Sequence, residues 1–185
     1  MLKTMLKILK YLSSLLLFIL ALVFLFHQYS LNKEKKLLTS SIGQRVEVDG
    51  KNMNVYVAGN GPKTLVFLSG SGTSSPILDF KSLYSKLVKD YRVVVVEKFG
   101  YGFSDDSSSS RDLDTILSQT RKALQKADVK GPYVLLPHSM SGLEAMHWSA
   151  SYPKEVEAII GLDMSLPQAF DKYRANQLLY KILQL

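Results

Sequence analysis

The chain has 185 residues, of which 46% are hydrophobic and none is cysteine, and its formal net charge is +7. This length predicts one domain, and the lack of cysteine excludes a disulfide framework, a cysteine nucleophile and thiolate metal sites. Residues 1–40 contain six lysines and one glutamate, so the remaining residues carry a net charge of only +2. Because the later Lys and Arg residues are scattered, we expect no nucleic-acid partner.

The N-terminal segment is apolar and predicts a membrane helix. Residues 15–26 are an unbroken apolar run, and a helix over residues 11–29 is about 28 Å long, enough to cross the hydrocarbon core of a bilayer. A basic leader with three lysines also fits a signal peptide, but no small-residue cleavage pattern follows Phe26. We therefore predict an uncleaved single-pass anchor over residues 1–29, with a signal peptide as the alternative, and a domain outside the cytoplasm.

The remaining chain divides into a polar linker, predicted over residues 30–43, and a folded domain, predicted over residues 44–185. Two short strands around Asp49-Gly50 predict a hairpin. Further strands are predicted at TLVFL, YRVVVVE, PYVLL and VEAIIGLD, and helices at residues 77–89, 112–127 and 140–151. This alternation predicts an α/β fold with a mostly parallel sheet and helices on both faces.

The carboxyl ends of parallel strands are where such sheets bind ligands. SGSGTSSP follows TLVFL, EKFGYGFSD follows VVVV, and PHSMSG follows PYVLL. In this order the three segments resemble the oxyanion loop, the D-x-x-G-x-G-x-S loop and the G-x-S-x-G nucleophile elbow of the α/β-hydrolase family. The second segment is represented by Glu97, Gly100, Gly102 and Ser104, with Glu97 in place of the family's aspartate. The resemblance covers roughly residues 44–166.

The resemblance implies that Ser139 is the nucleophile. Pro137 and Ser141 stand where the family has glycines, at positions that need small side chains because strand and helix pass close together. Ser141 is an alternative nucleophile, but Leu143 two residues later would crowd the turn. The other alternative is that Ser139 only caps the following helix.

The amides that would bind an oxyanion are also implied by the resemblance. The first is the N–H of Met140, which follows the nucleophile at a helix start. The second is the N–H of Ser71 in the loop after TLVFL, where Gly70 permits close approach of the backbone.

The base and the acid of the triad are not evident in this sequence. His27 lies beside the membrane segment, His147 lies too far along its helix to reach Ser139, and we expect His138 to be a packed core histidine. Asp163 is a weak candidate for the acid, and a structural role at the strand end is the favoured interpretation. Because the family's acid and histidine come later in the chain, we expect the sequence to be truncated before them and to be a poor hydrolase alone.

The sequence thus predicts a membrane-anchored serine hydrolase that forms an acyl-enzyme with a small-molecule ester, amide or peptide. No cofactor and no metal are expected. One alternative is a non-catalytic binding or scaffold protein of the same fold. Another is dinucleotide binding, since Gly70-x-Gly72 follows a strand and Glu97 ends the next, although Ser75 replaces the third glycine of that motif.

Overall fold

The computed structural model describes residues 2–35 and 41–168, and the chain divides into two compact units between Ser40 and Ser41. The first unit contains one helix, α1 (Leu2–Lys35), with no buried residue. Its most apolar window has a mean hydropathy of 2.5, so the helix is long and apolar enough to cross a membrane, a property that signal sequences share.

Helix α1 continues beyond the predicted anchor, into residues that were predicted as linker. Residues 30–35, SLNKEK, are helical. This stretch contains neither glycine nor proline, and its Leu, Lys and Glu residues are good helix formers, so nothing local ends the helix at residue 29. Residues 36–40 of the predicted linker lie outside the described residues.

The second unit is a seven-stranded sheet with helices packed on it. Its strands are β1 (Gln44–Val48), β2 (Lys51–Ala58), β3 (Thr64–Leu68), β4 (Arg92–Glu97), β5 (Tyr133–Ser139), β6 (Val156–Ile159) and β7 (Leu162–Met164). Its helices are α2 (Pro76–Asp79), α3 (Lys81–Leu87), α4 (Leu113–Lys126) and α5 (Ser141–Ser151). The strand order is β1-β2-β4-β3-β5-β6, with β7 paired to β5.

Strands β3 to β7 pair in parallel, which confirms the predicted mostly parallel sheet. The predicted hairpin is formed by β1 and β2. Both of its turn residues, Asp49 and Gly50, have positive φ angles of 52° and 79°, as a tight hairpin turn requires. The hairpin pairs antiparallel to β4 and so forms one edge of the sheet.

The central strands are buried on both faces, which explains their continuous apolar sequences. In β4, Val94 and Val96 belong to one core cluster, with Leu124 of α4 and Trp148 of α5. Their neighbours on the same strand point to the opposite face, where the second cluster includes residues of α2 and α3. The prediction of helices on both faces of the sheet is therefore confirmed.

Two predicted elements are interrupted in the structure. The helix predicted over residues 77–89 is divided into α2 and α3 at Phe80, a turn residue (φ −85°, ψ −2°) whose ring packs at 5.2 Å from that of Phe67. The strand predicted at VEAIIGLD is divided into β6 and β7 around Ile160 and Gly161. The amide of Ile160 still bonds to β5, and β7 then pairs with the end of β5 after a shift of register.

The strand order brings three loops together at one edge of the sheet. Strand β3 lies between β4 and β5, so the chain leaves β3 towards one neighbour and later returns to the other. The carboxyl ends of these parallel strands are therefore adjacent, with a crevice where the connections diverge. The loops after β3, β4 and β5 are the three segments in which the sequence places its motifs.

Candidate active site

Ser139 occupies a strained corner at the end of β5. Its φ angle is +53°, in the left-handed region that costs a non-glycine residue about 1–2 kcal/mol. The residue is half-buried, and within the described part of the chain its hydroxyl forms no hydrogen bond. Helix α5 starts two residues later, at Ser141. A strained backbone between a strand and a helix is one feature of the nucleophile elbow that this segment of the sequence resembles.

Pro137 and Ser141, which stand where the family has glycines, are connected in the structure through Leu68. Pro137 is paired with Leu68 in the β3–β5 ladder and has no N–H to donate. The hydroxyl of Ser141 lies 2.7 Å from the carbonyl oxygen of Leu68 and 2.8 Å from that of His138, and it accepts the His138 amide at 2.9 Å. Ser141 is fully buried, so its hydroxyl serves the backbone of the elbow. Next to it, a side chain at Gly142 would overlap the carbonyl of Ser165.

The loop after β3 approaches Ser139 through Gly70. A Cβ atom at Gly70 would lie 2.8 Å from the Ser139 Cβ, so only glycine allows this approach. Within the described residues, the amides of Gly70, Ser71 and Met140 donate no hydrogen bond to the protein. Ser71 and Met140, the two residues named for the oxyanion site, therefore have unpaired N–H groups within the described residues, and they follow Gly70 and Ser139 directly in the chain.

Glu97 organises the loop after β4. Its carboxyl group is fully buried and accepts hydrogen bonds from the side chains of Asn54 (3.0 Å) and Ser75 (3.3 Å). It also accepts from the amides of Phe103 (2.8 Å) and Ile77 (3.4 Å). All of these donors come from the protein, so this carboxyl group ties the loop after β4 to β2 and to the start of α2. Because these donors already occupy the Glu97 carboxyl group, it is not available to bind a ribose, as the dinucleotide alternative requires.

The glycines and the serine of the same loop complete this arrangement. Gly100 and Gly102 have φ angles of +79° and +52°, and a Cβ atom at Gly102 would overlap the Glu97 carboxyl group. The Ser104 hydroxyl donates to the carbonyl of Glu97 at 2.6 Å and accepts from the amide of Asn54 at 2.8 Å. Each residue quoted from this motif thus has a structural part in the loop.

The loops after β3 and β4 are joined directly. The Gly72 amide donates to the Tyr101 hydroxyl at 3.1 Å, and the Gly102 amide donates to the carbonyl of Ser74 at 2.9 Å. A third link comes from Lys98, whose ammonium group donates to the carbonyl of Ser69 at 2.9 Å and pairs with Glu144 of α5. Sequence reasoning missed this ion pair, although Glu144 is a lone charge in an apolar helix.

The histidines and Asp163 lie apart from a triad arrangement. The expectation of a core position for His138 is wrong: this residue is exposed, because β5 extends past the core at its carboxyl end, and its ring lies edge-on to Phe80 at 6.2 Å. His147 is 2.7 Å from the Asp114 carboxylate, and His27 is in α1. Asp163 is exposed in β7 with a φ angle of +50°. Within the described residues, neither His138 nor His147 forms a hydrogen bond with the Ser139 hydroxyl.

The chain belongs to the alpha/beta hydrolase fold family, whose model matches residues 63–180. It is 49% identical over 178 residues to the uncharacterized protein YbdG of Bacillus subtilis (strain 168), an alignment that covers 94% of this chain and 54% of YbdG. The chain thus spans about half the length of that relative. The same family membership counts against the dinucleotide-binding alternative.

More distant similarities agree on the fold. The 2-(acetamidomethylene)succinate hydrolase of Mesorhizobium japonicum is 24% identical over 124 residues, which are 67% of this chain and 43% of that enzyme. The crystal structure of Cfl2 from Burkholderia cenocepacia superposes with a TM-score of 0.61 at 23% identity, covering 67% of this chain and 42% of Cfl2. At this level of identity the structural similarity establishes the shared fold.

The contact between Gly102 and Glu97 gives a stability prediction. We expect Gly102→Ala to lower the free energy of unfolding by at least about 3 kcal/mol, because the buried carboxyl group must leave its donors. Gly50→Ala is the matched control: its φ angle is also positive, but nothing lies within 4 Å of the added Cβ, so only strain of about 1–2 kcal/mol is added. Urea unfolding followed by circular dichroism measures both, and equal losses would contradict this account of Glu97.

The strained backbone of Ser139 gives a second prediction. We expect Ser139→Gly to raise the free energy of unfolding by about 1 kcal/mol, since glycine adopts positive φ without the Cβ clash. Ser139→Ala keeps the strain and should change stability little. Asp128→Gly is the positive control, because Asp128 lies outside the site and also has a positive φ angle, 52°. Thermal unfolding of the variants is the measurement, and a Gly variant no more stable than the Ala variant would show that position 139 is unstrained.

Proposed function

We propose that this chain carries the nucleophile and the oxyanion site of a serine hydrolase that acts on small-molecule esters, amides or peptides. The observation that carries the proposal is the contact of Gly70 with a strained Ser139, whose hydroxyl forms no hydrogen bond within residues 41–168. Strain at a half-buried polar residue persists when the surrounding structure enforces it, as is common at active sites. The alpha/beta hydrolase fold of the family supports the same reaction type.

The proposed reaction begins with attack of the Ser139 hydroxyl oxygen on a carbonyl carbon. The carbonyl oxygen then becomes an oxyanion, which the amides of Met140 and Ser71 stabilise from a helix start and a loop. Collapse of this intermediate expels the alcohol or amine and leaves an acyl-serine, and attack by water releases the acid. The serine proton requires a base, and within the described residues neither His138 nor His147 bonds to the Ser139 hydroxyl. We propose that attack by Ser139 is slow in this arrangement, since loss of a triad partner costs as much as about 10⁶ in rate.

A reactive phosphonate tests the nucleophile without requiring turnover. We expect an alkyl fluorophosphonate probe, used at high concentration over hours, to label the wild-type chain slowly at Ser139, because a single attack on phosphorus suffices even when each attack is slow. Ser139→Ala should abolish labelling, and Ser118→Ala, a change on the exposed side of α4, should leave it unchanged. Tryptic peptides and mass spectrometry identify the modified residue.

Either of two results would refute the proposal. The first is labelling of the Ser139→Ala variant to the wild-type extent, which would place the reactive group elsewhere. The second is a folded but unlabelled wild-type chain, which would favour the non-catalytic binding protein of the same fold. Circular dichroism of each sample establishes that the compared proteins are folded.

We further propose that α1 is an uncleaved membrane anchor with the folded unit outside the cytoplasm. The support is the length and apolarity of α1 together with the basic residues that precede the apolar run. The same helix explains why the sequence carries large apolar side chains with no core to bury them, since every described residue of its apolar run is exposed.

Membrane fractionation in a bacterial host tests this anchor. The double change Leu16→Arg and Leu20→Arg places two charges in the apolar run, each costing about 2.5–3.5 kcal/mol at a membrane centre, and we expect it to release the protein from carbonate-washed membranes. Ser30→Arg, beyond the apolar run, should leave the protein in the membrane. N-terminal sequencing of the membrane-bound protein should return the first residues of the chain, whereas a start after Phe26 would identify a signal peptide.

A further inference from the structure

A buried ion pair lies beside the candidate active site. Lys98 follows directly after β4 and Glu144 lies in the first turn of α5, and their side chains are only 8% and 12% exposed. The Lys98 ammonium also donates to the carbonyl oxygen of Ser69 at 2.9 Å. One side chain therefore links the loop after β4, the loop after β3 and the helix that follows Ser139.

This pair is an inefficient way to stabilise the fold. Burial raises the pKa of the Glu144 carboxyl group, while Lys98 and Arg111 oppose that rise, so desolvation has a cost even with two cations nearby. Replacing buried ion pairs by apolar side chains of similar size is often neutral or stabilising. The pair therefore matters for the group that its ammonium holds, which is the Ser69 carbonyl.

That carbonyl determines the direction of the neighbouring amide. The Ser69 C=O and the Gly70 N–H belong to one planar trans peptide, in which the two groups point in opposite directions. Fixing the carbonyl on Lys98 thus fixes the Gly70 N–H, and the next peptide carries the Ser71 N–H. The Ser69 hydroxyl is buried without a partner among the described residues, so the Ser69 side chain contributes no hydrogen bond that could hold this peptide.

The three links between the loops hold different parts of the loop after β3. Tyr101 holds the amide of Gly72 and the carbonyl of Ser74 accepts the amide of Gly102, both in the outer part of the loop after β3. Lys98 holds the inner part, next to the residue that contacts Ser139. Loss of Lys98 would leave the outer links in place and free the Ser69–Gly70 peptide, which directly precedes the peptide that carries the Ser71 N–H.

We propose that Lys98 and Glu144 are positioning residues, which hold the Ser69–Ser71 backbone so that its amides face Ser139. The ammonium group acts through the Ser69 carbonyl, and Glu144 fixes the ammonium group from α5. The effect on catalysis rests on the proposed hydrolase function, but the effect on the loop does not. The two are therefore tested by separate measurements.

The loop itself is followed by NMR of the full chain labelled with ¹⁵N-glycine in detergent micelles. The chain has 11 glycines, so the spectrum is simple, with Gly70 as the reporter and Gly50 and Gly131 as internal controls. We expect Lys98→Met with Glu144→Leu to broaden or double the Gly70 signal and leave the controls unchanged. Lys98→Arg should keep a single sharp signal, because a guanidinium group can donate to both partners. Leu124→Ala, a destabilising change in the core distant from the loop, should leave Gly70 unaffected.

The catalytic consequence is followed by the rate of Ser139 phosphonylation. We expect the double variant to react about tenfold more slowly than the wild type, since loss of a whole oxyanion donor costs about 10²–10³ and here the donor is only displaced. Its thermal unfolding should stay close to that of the wild type, which separates positioning from stability. Lys98→Arg should restore the rate.

The outcomes distinguish this inference from the proposed function. A sharp, unshifted Gly70 signal in the double variant, or the same broadening in Leu124→Ala, would overturn the positioning role. If the Gly70 signal of the double variant broadens selectively but the phosphonate does not label the wild-type chain, the positioning role is supported and the hydrolase chemistry is refuted. Selective broadening together with slower labelling supports both.

Discussion

The site depends on the complete enclosure of strand β3. This strand is buried on both faces and paired on both edges, so its end can move relative to β4 and β5 only by disrupting the core. The burial of five consecutive residues, four of them hydrophobic, thereby holds the loops after β3, β4 and β5 at one edge. Gly70 meets Ser139 because Leu68 lies opposite Pro137 in the ladder, and each of the two residues comes two positions after this pair.

Buried polar groups at this edge of the sheet hold the three loops together as one cluster. The Glu97 carboxyl group, the Ser141 hydroxyl and the Lys98 ammonium group each bond to the backbone of another segment, at Ile77, Leu68 and Ser69. Buried polar groups need such partners, because an unpaired one costs about 1–3 kcal/mol. The cluster therefore has few alternative arrangements, and its rigidity is what keeps Ser139 in a backbone conformation that serine avoids.

The departures from the family motif are explained by local chemistry. Pro137 removes a donor from the end of the ladder, and Ser141 supplies a hydroxyl that bonds to the carbonyl of Leu68. Glu97 replaces a shorter acid, and Gly102 leaves room for the longer side chain. Sequence comparison position by position records these as mismatches, whereas in the structure the Ser141 hydroxyl and the Glu97 carboxyl group are both hydrogen-bonded to backbone of other segments.

The sequence by itself determined the parallel sheet, the two-sided core, the apolar N-terminal helix and the three loops that carry the motifs, because hydrophobic periodicity and turn residues act over a few positions along the chain. Only the tertiary structure decided that β3 lies between β4 and β5, that His138 is exposed, and that Lys98 meets both Glu144 and Ser69. These depend on strand order and on contacts between residues distant in sequence. Local patterns do not encode such contacts, since the same apolar strand fits several positions in a sheet.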